Sequence, residues 1–323
     1  MQLLIKQCDN DGRLVLVETF LDTDWQILVA DERDFRAFEA AVTQTDALIS
    51  MDWRWDIDTP KLKLLQLPGA GTDAIQFAKL APSTTVCNVF EHDIGIAEYV
   101  MAGMLEMTLG LRAMDQALRQ DRWTGSYLCG PRHGELFGQT LGIVGYGRIG
   151  HEVARRARAF GMRVIACSRT AKSNDEFAER VDDMSQFERL LQEADFVVVA
   201  APLSDTTREL FDTATFAQMK SNAVIINVAR GAIIEEAALY SALKSKRIAG
   251  AVIDTWYHYP KQGEDSGRPS KLPFHELANI IMTPHASGWT HNLTVRRCRG
   301  IAGNLNRLAR GEPLINVVRK GHS

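Results

Sequence analysis

The sequence predicts an α/β protein of two domains, the larger a doubly wound parallel sheet. Three observations carry this expectation. The chain has 323 residues, 46% of them hydrophobic, which is enough for two cores. Short apolar runs alternate with helical patterns along most of its length. A glycine-rich turn, GYGRIG at 145–150, ends a strand-like run and opens a helix-like one.

The elements follow in order. MQLLIKQ (1–7), DWQILVA (24–30), DALISM (46–51) and LKLLQL (62–67) read as strands of a first, smaller unit. GAGTD at 69–73 is a glycine-rich loop closing the last of them. AEYVMAGMLEMTLGLRAMDQALRQ (97–120) reads as one long, almost uninterrupted helix. Its first half is apolar nearly all round, so burial on most faces is expected, as in a domain-crossing or subunit-contact helix. A second α/β unit is expected from Thr140 to about His291. The closing stretch, 292–318, reads as an amphipathic helix, then Gly311, then a short extended tail that packs back on the first unit. The expected division is 1–93 with 292–323, and 94–291 between them.

Composition narrows the function. The formal net charge is −3 with acids and bases intermixed, so neither a nucleic acid nor a membrane surface is an expected partner. The N-terminus turns polar within six residues, unlike a secretory signal, and no apolar run approaches a membrane span. Cys8, Cys87, Cys129, Cys167 and Cys298 are odd in number and widely spaced, which reads as reduced, packed thiols in a cytoplasmic protein. His92, His133, His151, His258, His275, His291 and His322 show no metal-ligand spacing, and no metal is expected.

TLGIVGYGRIG (140–150) places Gly145, Gly147 and Gly150 in G-x-G-x-x-G spacing. It follows a strand-like LGIVG and opens RIGHEVARRARAF, a helix that Gly161 can end before the strand MRVIAC. That context reads as a dinucleotide site. Gly145 allows the turn, Gly147 lets the backbone approach the pyrophosphate, and Gly150 allows close helix–strand packing. The phosphates then lie on a helix N-terminus. At the end of the next strand an acid normally accepts from a ribose 2′-hydroxyl. Here, 18 residues beyond Gly150, stands Ser168, followed by Arg169 and, nearby, Lys172. A hydroxyl and two bases suit a 2′-phosphate, so NADP(H) is expected over NAD(H).

Three further strand-like runs end in chemistry. INVARG delivers Arg230, AVIDTW delivers Asp254 and IIMTPH delivers His285. Ligands of an open α/β sheet bind outside the carboxyl ends of its strands. An arginine that clamps a carboxylate and a histidine that moves a proton, beside a nicotinamide, point to hydride transfer.

With these motifs the sequence resembles the D-isomer-specific 2-hydroxyacid dehydrogenases over essentially its whole length. GAGTD, RWTG with GELFGQTLGIVGYGRIG, INVARG, GAVIDTW, TPHASGWT and GEPLINVV all have counterparts there, in this order. CSRTAKS (167–173) is similar to the corresponding segment of NADPH-dependent glyoxylate/hydroxypyruvate reductases. The resemblance implies two Rossmann-like domains with the active site in the cleft between them, the cofactor domain inserted into a discontinuous substrate domain, usually as a homodimer. It implies that Arg230 binds the substrate's carboxylate and carbonyl, that His285 donates the proton, and that Asp254 faces the nicotinamide. The amides of Ala70 and Gly71 are expected to bind the carboxylate, and Arg54 is a candidate on the opposite wall. The dinucleotide contacts expected are Gly145, Tyr146, Gly147, Arg148, Ile149, Gly150, Ser168, Arg169, Thr170, Lys172, Pro202, Thr207, Val228, Ala229, Arg230, Asp254, His285 and Ser287. Trp256, Tyr257 and Trp289 read either as an aromatic lining of the substrate pocket or as packing.

One position departs from the resembled pattern. A glutamate normally partners the histidine, five residues after the aspartate and just before a proline; in DTWYHYP that position is Tyr259. The expected activity is reduction of a small 2-keto acid to the D-2-hydroxy acid. Tyr259 keeps two alternatives open: a dinucleotide-sensing regulatory protein, and a formate- or phosphite-type dehydrogenase with an altered acid slot.

Overall fold

The computed structural model describes residues 1–7, 13–128, 130–261 and 264–322. Cys8 and Cys129 fall outside them. The chain divides into two compact units, Met1–Glu91 with Thr290–Ser323, and His92–Trp289.

The first unit opens with β1 (Gln2–Lys6), α1 (Arg13–Phe20), β2 (Gln26–Ala30), α2 (Phe35–Gln44), β3 (Ala47–Ile49), β4 (Leu64–Gln66) and β5 (Thr85–Cys87). The second contains α3 (Asp93–Leu109), α4 (Leu111–Leu118), β6 (Thr140–Val144), α5 (Arg148–Ala159), β7 (Arg163–Ser168) and β8 (Arg180–Asp183). It continues with α6 (Phe187–Glu193), β9 (Phe196–Val199), α7 (Thr213–Gln218), β10 (Val224–Asn227), α8 (Glu236–Lys244), β11 (Gly250–Ile253) and β12 (Ile280–Met282). α9 (His291–Arg310) and β13 (Val317–Arg319) return to the first unit.

The first sheet has the order β13-β5-β4-β3-β1-β2, parallel except for β13, which pairs antiparallel with β5. One face packs Leu3 and Ile5 against Val17 of α1 and Ile301 and Leu305 of α9; the other packs Leu4 and Leu65 against Phe38, Val42 and Trp53. The second sheet has the order β12-β11-β10-β9-β6-β7-β8 and is parallel throughout. α3 and α5 cover one face through Val100, Met104, Val153 and Ala157; α6, α7 and α8 cover the other through Leu190, Phe216 and Leu239. β6 is central: the chain runs outward through β7 and β8, then crosses to β9 on β6's other side. A doubly wound sheet binds its ligand beside such a reversal.

The long helix expected over 97–120 is a corrected point. It begins at Asp93 and breaks at Gly110, whose φ of +66° is left-handed and ends α3, and the two pieces are bent by 55°. The apolar pattern of α3 does correspond to burial, of Ile96, Ala97, Val100, Met101 and Met104 among others. Among the described residues no single helix is long and apolar enough to cross a membrane. β8 has the sequence RVDD and carries no apolar alternation; parallel pairing with β7 and the ion pairs of Arg180 with Asp182 and Glu193 hold it instead.

Candidate active site

The turn after β6 is built by its glycines. Gly145 has φ +98°, and a Cβ there would lie 2.3 Å from the Ala201 nitrogen. A Cβ on Gly150 would lie 2.5 Å from the Gly145 carbonyl oxygen. Gly147 differs: a Cβ there meets no atom within 4 Å. The protein's own packing therefore does not require that glycine. A phosphate resting on the loop, at the N-terminus of α5, does. This cradle fits a dinucleotide.

Around the loop, Tyr146 is buried and its hydroxyl donates to Asp175 Oδ1 at 2.6 Å, an oxygen that also accepts from the amides of Phe177 and Ala178. The Lys172 ammonium donates to the Tyr146 carbonyl at 3.2 Å and lies 5.2 Å from the centre of that ring. Lys172 is thus anchored on the glycine loop itself. Ser168, at the end of β7, donates to the Thr170 carbonyl at 2.6 Å, while Arg169 and Thr170 are exposed. Thr207 Oγ1 donates to the Pro202 carbonyl at 2.7 Å in the loop after β9.

The ends of β10, β11 and β12 lie side by side. After β10, the buried Asn227 holds the loop: its Oδ1 accepts from the Ala229 amide, and its Nδ2 donates to the Arg230 carbonyl, each at 3.0 Å. The Arg230 guanidinium donates to the Ala229 carbonyl at 2.8 Å. A Cβ on Gly231 would lie 2.4 Å from the Trp256 carbonyl oxygen, so glycine here is the condition for the β10 and β11 loops to approach.

After β11, the fully buried Asp254 carboxylate grips the histidine loop. Oδ1 accepts from Thr283 Oγ1 at 2.6 Å and from the Ala286 amide at 2.8 Å; Oδ2 accepts from the Ser287 amide at 3.0 Å. Tyr99 on α3 lies 2.6 Å from Thr283 Oγ1. Because Thr283 spends its proton on Asp254, Tyr99 is the donor there. Burial pushes the Tyr99 phenol up to about 12, which keeps it protonated. His285 itself has φ +57°, a left-handed conformation that a non-glycine residue adopts at a penalty of roughly 1–3 kcal/mol. The Asp254 clamp on the residues to either side stabilises it.

His285 Nδ1 lies 3.1 Å from the Tyr259 hydroxyl, which also accepts from the Trp256 amide at 3.1 Å. Part of the imidazole is open, yet the surrounding protein withholds enough water to set its pKa below the ordinary histidine value; Asp254 opposes this and the Arg230 guanidinium reinforces it. Tyr259 occupies the place of the missing glutamate beside His285, while Glu264 accepts from the Lys261 amide and Glu276 lies 4.0 Å from His275. Trp256 and Tyr257 belong to the core around Phe274, whereas Trp289 is exposed. Tyr99, Thr283 and Asn227 are the supports that the sequence did not reveal.

Ala70, Gly71 and Arg54 belong to the first unit. The Ala70 carbonyl accepts from Asn88 Nδ2 at 2.9 Å and the Gly69 carbonyl from the Val89 amide at 3.2 Å, which pins the loop. Arg54 lies 3.4 Å from Glu32, 3.9 Å from Asp52 and over the Trp55 ring; Lys6 pairs with the same two acids. Among the described residues no cluster of histidine, cysteine, aspartate or glutamate is arranged to hold a metal ion.

Comparison with known proteins agrees with this geometry. The family model described as D-isomer specific 2-hydroxyacid dehydrogenase, NAD binding domain, matches residues 101–287. A glyoxylate reductase of Korarchaeum cryptofilum is 30% identical over 315 residues, covering 96% of this chain and 86% of that protein. A D-3-phosphoglycerate dehydrogenase of Methanocaldococcus jannaschii is 34% identical over 265 residues; the match takes in 80% of this chain but only 48% of that longer relative. The crystal structure of a D-isomer specific 2-hydroxyacid dehydrogenase family protein from Aeromonas salmonicida superposes with a TM-score of 0.82 at 26% identity, over 98% of both chains. The family model spans more than half of the chain, and the chain belongs to the D-isomer-specific 2-hydroxyacid dehydrogenase family.

Proposed function

We propose that the protein is an NADPH-dependent reductase of a small 2-keto acid, of the glyoxylate or hydroxypyruvate kind, yielding the D-2-hydroxy acid. The observation that carries this reading is the placement of Arg230 after β10 and His285 after β12, on either side of β11, in the sheet that carries the dinucleotide turn. When bound, the reduced nicotinamide supplies a hydride to the keto carbon. His285 Nε2 gives a proton to the oxygen, and Arg230 holds the carboxylate and offsets charge developing on that oxygen. The Ala70 and Gly71 amides of the first unit are proposed as donors to the carboxylate, and Asp254 of the second as a contact on the nicotinamide side. The 2′-phosphate preference rests on Ser168 and Arg169 at the end of β7, with Lys172 fixed on the glycine loop. Cys87 and Cys167 are buried thiols outside any disulfide, which suits a reducing cytoplasm. Exposed Trp123, Tyr127, Leu128 and Phe137 support a homodimer.

The test is initial rates with glyoxylate, hydroxypyruvate and larger 2-keto acids, each with NADPH and NADH. NADPH is expected to be preferred by at least about tenfold, from one or two charge-assisted phosphate contacts of about 1.5–3 kcal/mol each. Ser168→Asp with Arg169→Ala is expected to reverse the preference. Equal or tighter binding of NADH by the wild type, measured by titration, refutes the cofactor assignment; absence of turnover with every keto acid refutes the reductase.

A further inference from the structure

We infer that Tyr259 is a positioning residue that holds neutral His285 in the tautomer with its proton on Nε2. The inference rests on the dehydrogenase reading for its functional meaning, but its geometry stands alone. The Trp256 amide can only donate, and it donates to the Tyr259 oxygen at 3.1 Å. That takes up one side of a phenolic oxygen, an acceptor already weakened because its lone pair is drawn into the ring. The hydroxyl proton remains, and at 3.1 Å stands imidazole Nδ1, the strongest neutral acceptor a side chain offers. The alternative arrangement, Nδ1–H donating to the same oxygen, asks a poor acceptor to take two hydrogen bonds and turns the tyrosine proton out to water. O–H···N is therefore the favoured pairing, and it places the imidazole proton on Nε2, at the other end of the ring.

The charged groups acting on the ring are Asp254 from the end of β11 and Arg230 from the end of β10. Neither hydrogen-bonds to Nδ1; Asp254 is spent on Thr283, Ala286 and Ser287. Tyr259 alone among the described residues decides which nitrogen carries the proton. A carboxylate in its place accepts from Nδ1–H and favours the opposite tautomer and the imidazolium.

The functional meaning follows. With Nε2 protonated, resting His285 offers a hydrogen bond to a substrate oxygen, but it has no free pair with which to take a proton from a hydroxy acid. Oxidation needs Nε2 bare, hence Nδ1 protonated and the tyrosine pairing reversed. Reduction passes through the same species in the other sense: imidazolium gives up its Nε2 proton and is left with Nδ1–H against Tyr259. Both directions carry the same restraint, as microscopic reversibility requires.

The test is ¹⁵N NMR of the full chain labelled at histidine, without substrate or cofactor, with His285→Gln assigning the signal. At a pH where His285 is neutral, the wild type is expected to show Nδ1 unprotonated and Nε2 protonated. Tyr259→Phe keeps the ring and removes the hydroxyl; it is expected to raise the Nδ1–H fraction about two- to tenfold, the size of one net hydrogen bond. It is also expected to raise kcat/KM for hydroxy-acid oxidation at alkaline pH by a similar factor. A tyrosine that merely supports the fold leaves the tautomer ratio unchanged on this substitution. Nδ1–H as the main form in the wild type, or an identical ratio in Tyr259→Phe, overturns the inference. Because the spectrum is read without turnover, a correct tautomer in a protein inactive on keto acids sinks the proposed function and leaves this inference standing.

Discussion

At the scale of single residues, the site divides into groups that act and groups that hold them. His285 and Arg230 are proposed to act. His285→Ala is expected to lower turnover by about 10²–10⁴-fold, the worth of general acid catalysis, with NADPH binding nearly intact. Arg230→Ala is expected to raise KM and to slow turnover as well, because in the proposed mechanism it contacts both the carboxylate and the reacting oxygen. Less than a tenfold loss in the first variant removes His285 as the acid. The pH dependence has a definite sign. Reduction needs imidazolium, which exists below the pKa, and withdrawal of water, reinforced by Arg230 and opposed by Asp254, lowers that pKa. The decline of kcat/KM with rising pH is therefore expected to begin below the value of about 6.5 that an ordinary histidine would set. A neutral Tyr259 partner by itself leaves a histidine near its ordinary value; the protein packed around the ring displaces it downward, and that packing cannot be read from one segment. Tyr259→Glu is expected to move this limb upward, and a profile unchanged by that substitution rules out the slot as a determinant.

At the scale of elements, the glycine turn separates two kinds of necessity that one motif conceals. Gly145 is required by the chain itself: its left-handed φ and a Cβ 2.3 Å from the Ala201 nitrogen leave no room for a side chain. Gly147 has open space at its Cβ position. Gly145→Ala is thus expected to lower thermal stability or prevent folding, while Gly147→Ala is expected to melt as the wild type does and lose dinucleotide affinity. Equal melting of both variants would falsify the distinction. The turn was legible because spacing, strand and helix coincide within a few residues. The supports of His285 were not. Tyr99 meets Thr283 across 184 residues, and no local pattern on α3 marks one tyrosine among its apolar neighbours. The break at Gly110 was missed for a related reason: periodicity continues through it, and only the left-handed conformation ends the helix.

At the scale of the whole molecule, alternation of apolar runs and helices was enough for the class of fold, and the parallel strands of both sheets came mostly from continuous apolar segments. β8 escaped because pairing, not hydrophobicity, makes it a strand. The aromatic stretch after α4 was not singled out from the sequence as a contact. With Tyr127 97% and Phe137 73% exposed, Tyr127→Ser with Phe137→Ser is expected to convert a dimer to a monomer in sedimentation. A wild type that sediments as a monomer at micromolar concentration refutes the dimer. The return of α9 and β13 to the first unit bears on synthesis. Leu3 and Ile5 leave the ribosome long before the Ile301 and Leu305 that cover them are made. The second unit, His92–Trp289, is continuous in sequence and waits on no later segment. During translation it is expected to close first, while β1 to β5 wait with one face covered only by α1 and depend on holding chaperones. Nascent chains arrested with His92–Trp289 emerged and α9 still held in the ribosomal tunnel are expected to yield a protease-resistant fragment beginning near His92; resistance of residues 1–91 at that stage would show that the first unit folds without its closing helix.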